Sequence, residues 1–213
     1  MNAFIFDMDG VIFDSERLYI ECCVEAASQL GMENIMEICH RCIGVTTDVT
    51  EAGLLETYRD ADLVKRFREL SVALFRDKYR RGLLKMKPGV REVLGYLRHK
   101  GLKTAIASST KTEIVEKELK EAGIWSLFQV IVGGDQVLKS KPSPDIFLRA
   151  AELLGEKPES CVVIEDAFTG IRAAKAAGMT AIMVPDQLQP DSEIQNLADV
   201  IVPSLFQVVD LNL

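Results

Sequence analysis

Six short apolar runs recur along the chain, most of them separated by helix-length amphipathic segments, and this alternation limits the fold more than any other feature. The runs span 3–7, 102–107, 129–132, 161–165, 180–184 and 199–202. They are continuous rather than alternating, which suits strands of a parallel sheet covered on both faces. Periodicity predicts helices over about 89–100, 111–123, 144–155 and 168–178. Gly101, Gly123 and Gly178 fall where the residue just past a helix end turns left-handed. Ser143-Pro144-Asp145 reads as an N-cap, a proline at the first helical position and an acid in the first turn. Strand and helix in alternation predict a doubly wound α/β sheet.

Residues 15–82 break that rhythm. They hold no convincing strand, only helical patterns around 16–30, 49–58 and 62–79, and Lys87-Pro88-Gly89 then restarts the alternation. The expected organisation is a Rossmann-like α/β core over 1–14 and 83–213 with an inserted α-helical cap domain over 15–82. At 213 residues and 48% hydrophobic, the chain has the apolar material for such a core and a modest insertion.

A formal charge of −7 argues against nucleic acid or an anionic membrane as partner. A small anion remains within reach through local devices: a metal ion, a lysine or helix N-termini. No run approaches the ~20 apolar residues of a spanning helix. Acids at Asp7 and Asp9 interrupt the opening apolar run, so no leader is expected and a cytoplasmic location is. The 5 cysteines are Cys22, Cys23, Cys39, Cys42 and Cys161, an odd number unlike a disulfide framework. Cys39 and Cys42 have C-x-x-C spacing. On a helix, however, adjacent Cys22 and Cys23 point about 100° apart and cannot easily share one zinc ion with them. Reduced thiols filling small apolar positions are the expectation.

Polar groups suited to chemistry fall at the carboxyl ends of the predicted strands, the edge where open parallel sheets bind ligands. Asp7-Met8-Asp9-Gly10 places two carboxylates two residues apart just past a strand. One can attack as a nucleophile while the other handles the leaving-group proton, and Gly10 allows a sharp exit. Asp-x-Asp-Gly also opens calcium loops, but Ile12 and Phe13 stand where such a loop needs oxygen ligands. Ser108-Ser109-Thr110, at a strand end before a helix, reads either as a phosphate cradle or as a plain N-cap. Lys141 can balance phosphate charge as a point cation, or lie on a solvated surface. Glu165-Asp166 ends an apolar run, where carboxylates are costly unless a cation is present. An oxygen-only donor set of this kind suits Mg²⁺.

Taken in order, four motifs resemble those of the haloacid dehalogenase superfamily. They are Phe4-Ile5-Phe6-Asp7-Met8-Asp9-Gly10-Val11-Ile12-Phe13-Asp14-Ser15, Ile106-Ala107-Ser108-Ser109, Lys141-Pro142-Ser143-Pro144-Asp145 and Val163-Ile164-Glu165-Asp166-Ala167-Phe168-Thr169-Gly170. The resemblance covers essentially the whole chain, including a helical cap between the first two motifs. It implies Asp7 as nucleophile and Asp9 as general acid, then base, with Ser108 and Lys141 holding phosphoryl oxygens. It implies Mg²⁺ on Asp7, the Asp9 backbone carbonyl and Asp166, with Glu165 in support. Asp9 would start protonated, which requires its pKa to exceed that of metal-bound Asp7. Substrate specificity would reside in the cap, chiefly Gly44, Val45 and Thr47, beside Ser109 in the core.

Within that superfamily, the second carboxylate argues against a dehalogenase, because a halide needs no general acid. A phosphonate-cleaving relative would need a lysine near 44–50, and Gly44-Val45-Thr46-Thr47-Asp48-Val49-Thr50 offers none. The chain is similar to the branch of sugar phosphatases and β-phosphoglucomutases. The mutases carry an arginine where Thr47 stands and a histidine where Tyr19 stands. Arg17, Arg76 and Lys78 are the candidates to replace that cationic grip on a second phosphate. A phosphatase acting on a small phosphorylated sugar is expected, as a monomer or weak dimer, with the mutase as alternative. A non-catalytic phosphate-binding regulator would tolerate loss of Asp7, Asp9 or Lys141, yet each is present.

Overall fold

The computed structural model describes the backbone of residues 1–42 and 47–211, and the side chains of these except 40–42 and 47–49. β1 (Ala3–Phe6) is followed by four helices, α1 (Ser15–Leu30), α2 (Ile35–Cys42), α3 (Thr47–Tyr58) and α4 (Ala61–Arg80). Then come α5 (Val90–His99), β2 (Lys103–Ser108), α6 (Thr112–Glu121) and β3 (Val130–Gly133). The chain continues through α7 (Asp145–Leu154), β4 (Cys161–Glu165), α8 (Phe168–Ala176), β5 (Thr180–Met183), α9 (Ser192–Leu197) and β6 (Val200–Ile201). All six strands join one sheet in the order β3-β2-β1-β4-β5-β6, every pair parallel. The order reverses at β1, so the crevice for a ligand opens beside its carboxyl end.

Two compact units share the chain: Met1–Phe13 with Met86–Leu213, and Asp14–Lys85. In the first, Ala3, Ile5, Ala105, Val132, Val163 and Ala181 from the strands pack with Ile146, Phe147, Ala150 and Ala174 from α7 and α8. Ala3 and Ile5 face that cluster while Phe4 and Phe6 are also buried, as expected of strands covered on both sides. The second unit closes its own core around Ala26, Ile35, Ile38, Leu54, Val64 and Phe67. Each fully buried side chain of Leu or Phe size contributes about 1.5–3 kcal/mol of burial.

The predicted helices of the α/β unit are present within two residues at each end, and Gly101, Gly123 and Gly178 take left-handed φ of 69°, 67° and 74°. The cap before α7 differs from expectation. Pro144 takes the N-cap position, and the Ser143 hydroxyl donates to Asp145 Oδ1 (3.2 Å) instead of receiving a helix N–H. The helix starts one residue later than expected, so Ser143 stands just outside the N-cap position. Two short helices, α2 and α9, lie where none was predicted. α9 is nucleated by Asp191, whose side chain accepts the Ile194 N–H at 2.9 Å.

Candidate active site

Three neighbouring strands deliver the principal side chains. β1 lies between β2 and β4, with Phe6 in register with Ile106 and Ile164. The residues that follow, or end, those strands are therefore side by side: Asp7, Ser108 and Glu165. Asp7 is fixed by its own N–H, which donates to the Ile164 carbonyl at 2.9 Å. Lys141 reaches in from the segment before α7. Its ammonium donates to Asp7 Oδ1, to Glu165 Oε1 (2.6 Å) and to the Ala107 carbonyl (3.1 Å). The same ammonium lies 4.9 Å from the centroid of the Phe147 ring.

Asp7, Glu165 and Asp166 are all buried, and one carboxylate oxygen from each lies within 4.8 Å of the others. Burial pushes the Asp7 carboxyl well above the carboxylate range; Lys141 opposes that shift, while Glu165 and Asp9 reinforce it. Burial alone would lower Lys141, but the adjacent Asp7 and Glu165 carboxylates more than offset it and keep the ammonium charged. One buried lysine among three acids leaves negative charge uncompensated. The donor set, hard oxygens converging at short range, fits a divalent cation of the Mg²⁺ type.

Two glycines make the cluster sterically possible. A Cβ on Gly10, whose φ is +79°, would come 2.1 Å from Asp166 Oδ2. A Cβ on Gly170 would come 1.8 Å from Glu165 Oε1. Glu165 is held from its other side, where Oε2 accepts the N–H groups of Asp166 and Ala167, both at 3.0 Å. Sequence reasoning gave Gly10 a role and quoted Gly170 without one.

Asp9 is half-buried and receives a hydrogen bond from the Thr110 hydroxyl (3.1 Å). Ser108 is fully buried, its oxygen accepting the Thr110 N–H at 3.0 Å, whereas Ser109 is exposed. Neither serine caps α6, whose N-cap position is Lys111. Thr110 was the residue missed: the hydroxyl triplet was visible, but not which member turns toward Asp9.

In the helical unit, the substrate-reading segment expected from sequence falls largely outside the described residues. Gly44 and Val45 lie there, and Thr47 opens α3 with its side chain outside the description. Tyr19 on α1 is partly exposed and packs edge-to-face on Phe75, with centroids 6.0 Å apart. Arg17 is engaged by Asp14 and Glu21, and Lys78 by Glu25 at 3.0 Å. Arg76 lines an open groove on α4 together with Lys65, Arg68, Glu69 and Glu51. Cys22, Cys23, Cys39 and Cys161 are free thiols, and Cys23 lies in the helical core with Cys39 packed against it. Among the described residues, the acidic trio at the strand ends is the one group of three or more His, Cys, Asp or Glu side chains that could hold a metal ion. No helix among them is long and apolar enough to cross a membrane.

A model of the haloacid dehalogenase-like hydrolase family matches residues 4–184. The phosphorylated carbohydrates phosphatase of Thermotoga maritima is 37% identical over 184 residues, covering 85% of this chain and 84% of that protein. Hexitol phosphatase B of Escherichia coli is 30% identical over 212 residues, 97% of this chain and 93% of that one. Among solved structures, the β-phosphoglucomutase of Clostridium difficile superposes with a TM-score of 0.72 at 25% identity, covering 98% of this chain and 93% of its own.

Proposed function

The chain belongs to the haloacid dehalogenase-like hydrolases as a phosphatase, and from that premise we propose that it hydrolyses a small phosphorylated carbohydrate, with Mg²⁺, through an aspartyl-phosphate on Asp7. The observation that carries this reading is the buried trio of Asp7, Glu165 and Asp166 beside Lys141, with Asp9 two residues from Asp7.

Asp7, Asp166 and the Asp9 carbonyl, with Glu165 in support, would hold the ion, which would neutralise phosphoryl oxygens and remove the repulsion between an anionic substrate and Asp7. An Asp7 oxygen attacks phosphorus in line with the leaving oxygen. Asp9 donates its proton to that oxygen, so the sugar departs as an alcohol rather than an alkoxide. Lys141, already bound to Asp7, offers its remaining charge to the phosphoryl oxygens. The Ser108 oxygen accepts from Thr110 and keeps its own proton to donate. Asp9, now ionised, takes a proton from water, which attacks the phosphorylated Asp7 and releases phosphate.

The substrate class rests on the names of the two relatives, a phosphorylated carbohydrates phosphatase and a hexitol phosphatase. The mutase alternative draws support from the similar solved structure. Against it stand Thr47 in place of an arginine, and the commitment of Arg17 and Lys78 to acids of their own unit.

The test is phosphate release from hexose, pentose and polyol phosphates, with Mg²⁺ or EDTA, and with Asp7→Asn as control. Rapid release requiring both Mg²⁺ and Asp7 is expected. Conversion of glucose 1-phosphate to glucose 6-phosphate with a bisphosphate primer, without net release, would replace this reading with the mutase.

A further inference from the structure

We propose that Thr110 is a positioning residue for Asp9, and that the turn Gly133-Gly134-Asp135-Gln136 after β3 exists to hold Thr110 in place. The inference rests on the phosphatase reading and extends it to residues outside the four motifs.

The contacts form a continuous chain. Thr110 Oγ1 donates to Asp9 Oδ2 at 3.1 Å. The backbone of Thr110 is fastened on both sides, its N–H to Ser108 Oγ (3.0 Å) and its carbonyl to the Gly134 N–H (2.9 Å). Asp135 Oδ1 accepts both the Thr112 N–H (2.7 Å) and the Thr112 hydroxyl (2.8 Å). Gln136 Nε2 donates to Thr112 Oγ1 (2.9 Å) and to the Ile131 carbonyl (3.1 Å), tying the turn back to its own strand.

The two glycines let the turn lie flush against this loop. A Cβ on Gly133 would stand 2.3 Å from the Thr112 nitrogen, and one on Gly134 would stand 2.4 Å from the Ser109 carbonyl oxygen. Loop 108–112 is therefore clamped between the end of its own strand and the turn after β3. This gives Thr110 a fixed orientation although its side chain is only part-buried.

The consequence for Asp9 is a preferred orientation of its carboxyl. A hydroxyl that donates to Oδ2 favours one orientation of the carboxyl over its flipped form. A carboxyl held less firmly would spend more of its time out of line with the leaving group. Loss of orientation at a group that must meet its partner at hydrogen-bond distance is expensive in rate.

The experiment compares wild type, Thr110→Val and Thr110→Ser on two Mg²⁺-supplemented substrates. One is the best alkyl phosphate from the panel. The other is p-nitrophenyl phosphate, whose leaving group departs as a stable anion and needs little protonation. With Thr110→Val, kcat/KM for the alkyl phosphate is expected to fall about ten- to hundredfold, and for p-nitrophenyl phosphate less than about threefold. Thr110→Ser, which keeps the hydroxyl, is expected to recover most of the loss. Asp135→Ala is expected to show the same selective pattern with smaller amplitude. Equal losses on both substrates would mark Thr110 as merely structural and overturn the inference, as would a Val variant equal to wild type. A wild type that releases no phosphate would overturn the phosphatase reading itself, a separate and recognisable result.

Discussion

The α/β unit and the helical unit bury different things. Among the described residues the first encloses four carboxylates, Asp7, Glu118, Glu165 and Asp166, whereas the buried polar side chains of the second are two serines, Ser15 and Ser71. In the helical unit, Ser71 returns its hydroxyl to the Phe67 carbonyl one turn back, and the ion pairs sit on partly exposed side chains. Apolar packing there meets little electrostatic opposition. The α/β unit instead holds charge where charge is unfavourable, an arrangement that costs stability and is retained where it serves chemistry. Buried carboxylates thus distinguish the unit that carries the acidic trio from the unit whose core is almost wholly apolar.

Substitutions can break or sharpen this contrast. The largest effect belongs to Asp7→Asn, expected to lower Mg²⁺-dependent phosphate release by about a thousandfold or more. The metal-free protein should melt no lower than wild type, because the change removes a charge whose burial is opposed. A variant that melts much earlier would mean that Asp7 is principally structural.

Next are the glycines. Gly170→Ala is expected to destabilise by about 2–3 kcal/mol, since its Cβ has no room beside Glu165, and to weaken Mg²⁺ binding. Gly53→Ala in α3, with open space around its Cβ, is expected to stabilise by about 0.5–1 kcal/mol. Urea unfolding of both variants measures the difference, and equal costs would erase the contrast between the units.

Glu118 tests whether buried charge away from the acidic trio behaves likewise. Burial pushes its carboxyl up to about 7, with Asp9 and Glu121 adding to the rise and Lys117 opposing it. Above the unfolded carboxyl's pKa of about 4.3, the folded protein keeps a proton that the unfolded chain has lost, so stability falls as pH rises toward 7. Glu118→Gln should remove that slope, gaining about 1–3 kcal/mol at pH 8 and nothing at pH 4. A gain independent of pH would point to packing instead. The smallest effect is that of Arg17→Ala, expected to cost less than about 1 kcal/mol and to vanish in high salt, because its side chain is 43% exposed.

The same contrast explains what the sequence made legible. The inner strands could be placed because a strand buried on both faces is an uninterrupted apolar word, with Asp7, Ser108 and Glu165 at the polar ends of three of them, and the partly exposed edge strands β3 and β6 because their short runs are apolar too. α2 escaped notice because a helix of 8 residues shows only one turn of its stripe, Ile35, Ile38 and Cys39. Thr110 and Asp135 escaped for another reason. Their roles depend on two loops meeting in space, and nothing local distinguishes a threonine that reaches Asp9 from one that faces water. The Ser143 reading failed because the helix starts one residue later, which leaves Pro144 and not the serine at the N-cap position.

The central position of β1 has a consequence for how the protein is made. Ala3 pairs with Lys103 on one side and with Cys161 on the other, so the strand that leads into Asp7 leaves the ribosome long before either neighbour exists. Among the described residues, the core cluster of the helical unit is drawn from its own contiguous span, Asp14 to Lys85. Synthesis at about 5–20 residues per second leaves β1 an unpaired apolar segment for several seconds, tethered to a unit that has already had time to fold. Long-range parallel pairing forms slowly. The strand made first is therefore among the last to be seated, and a chaperone that shields apolar segments would be needed most during that interval.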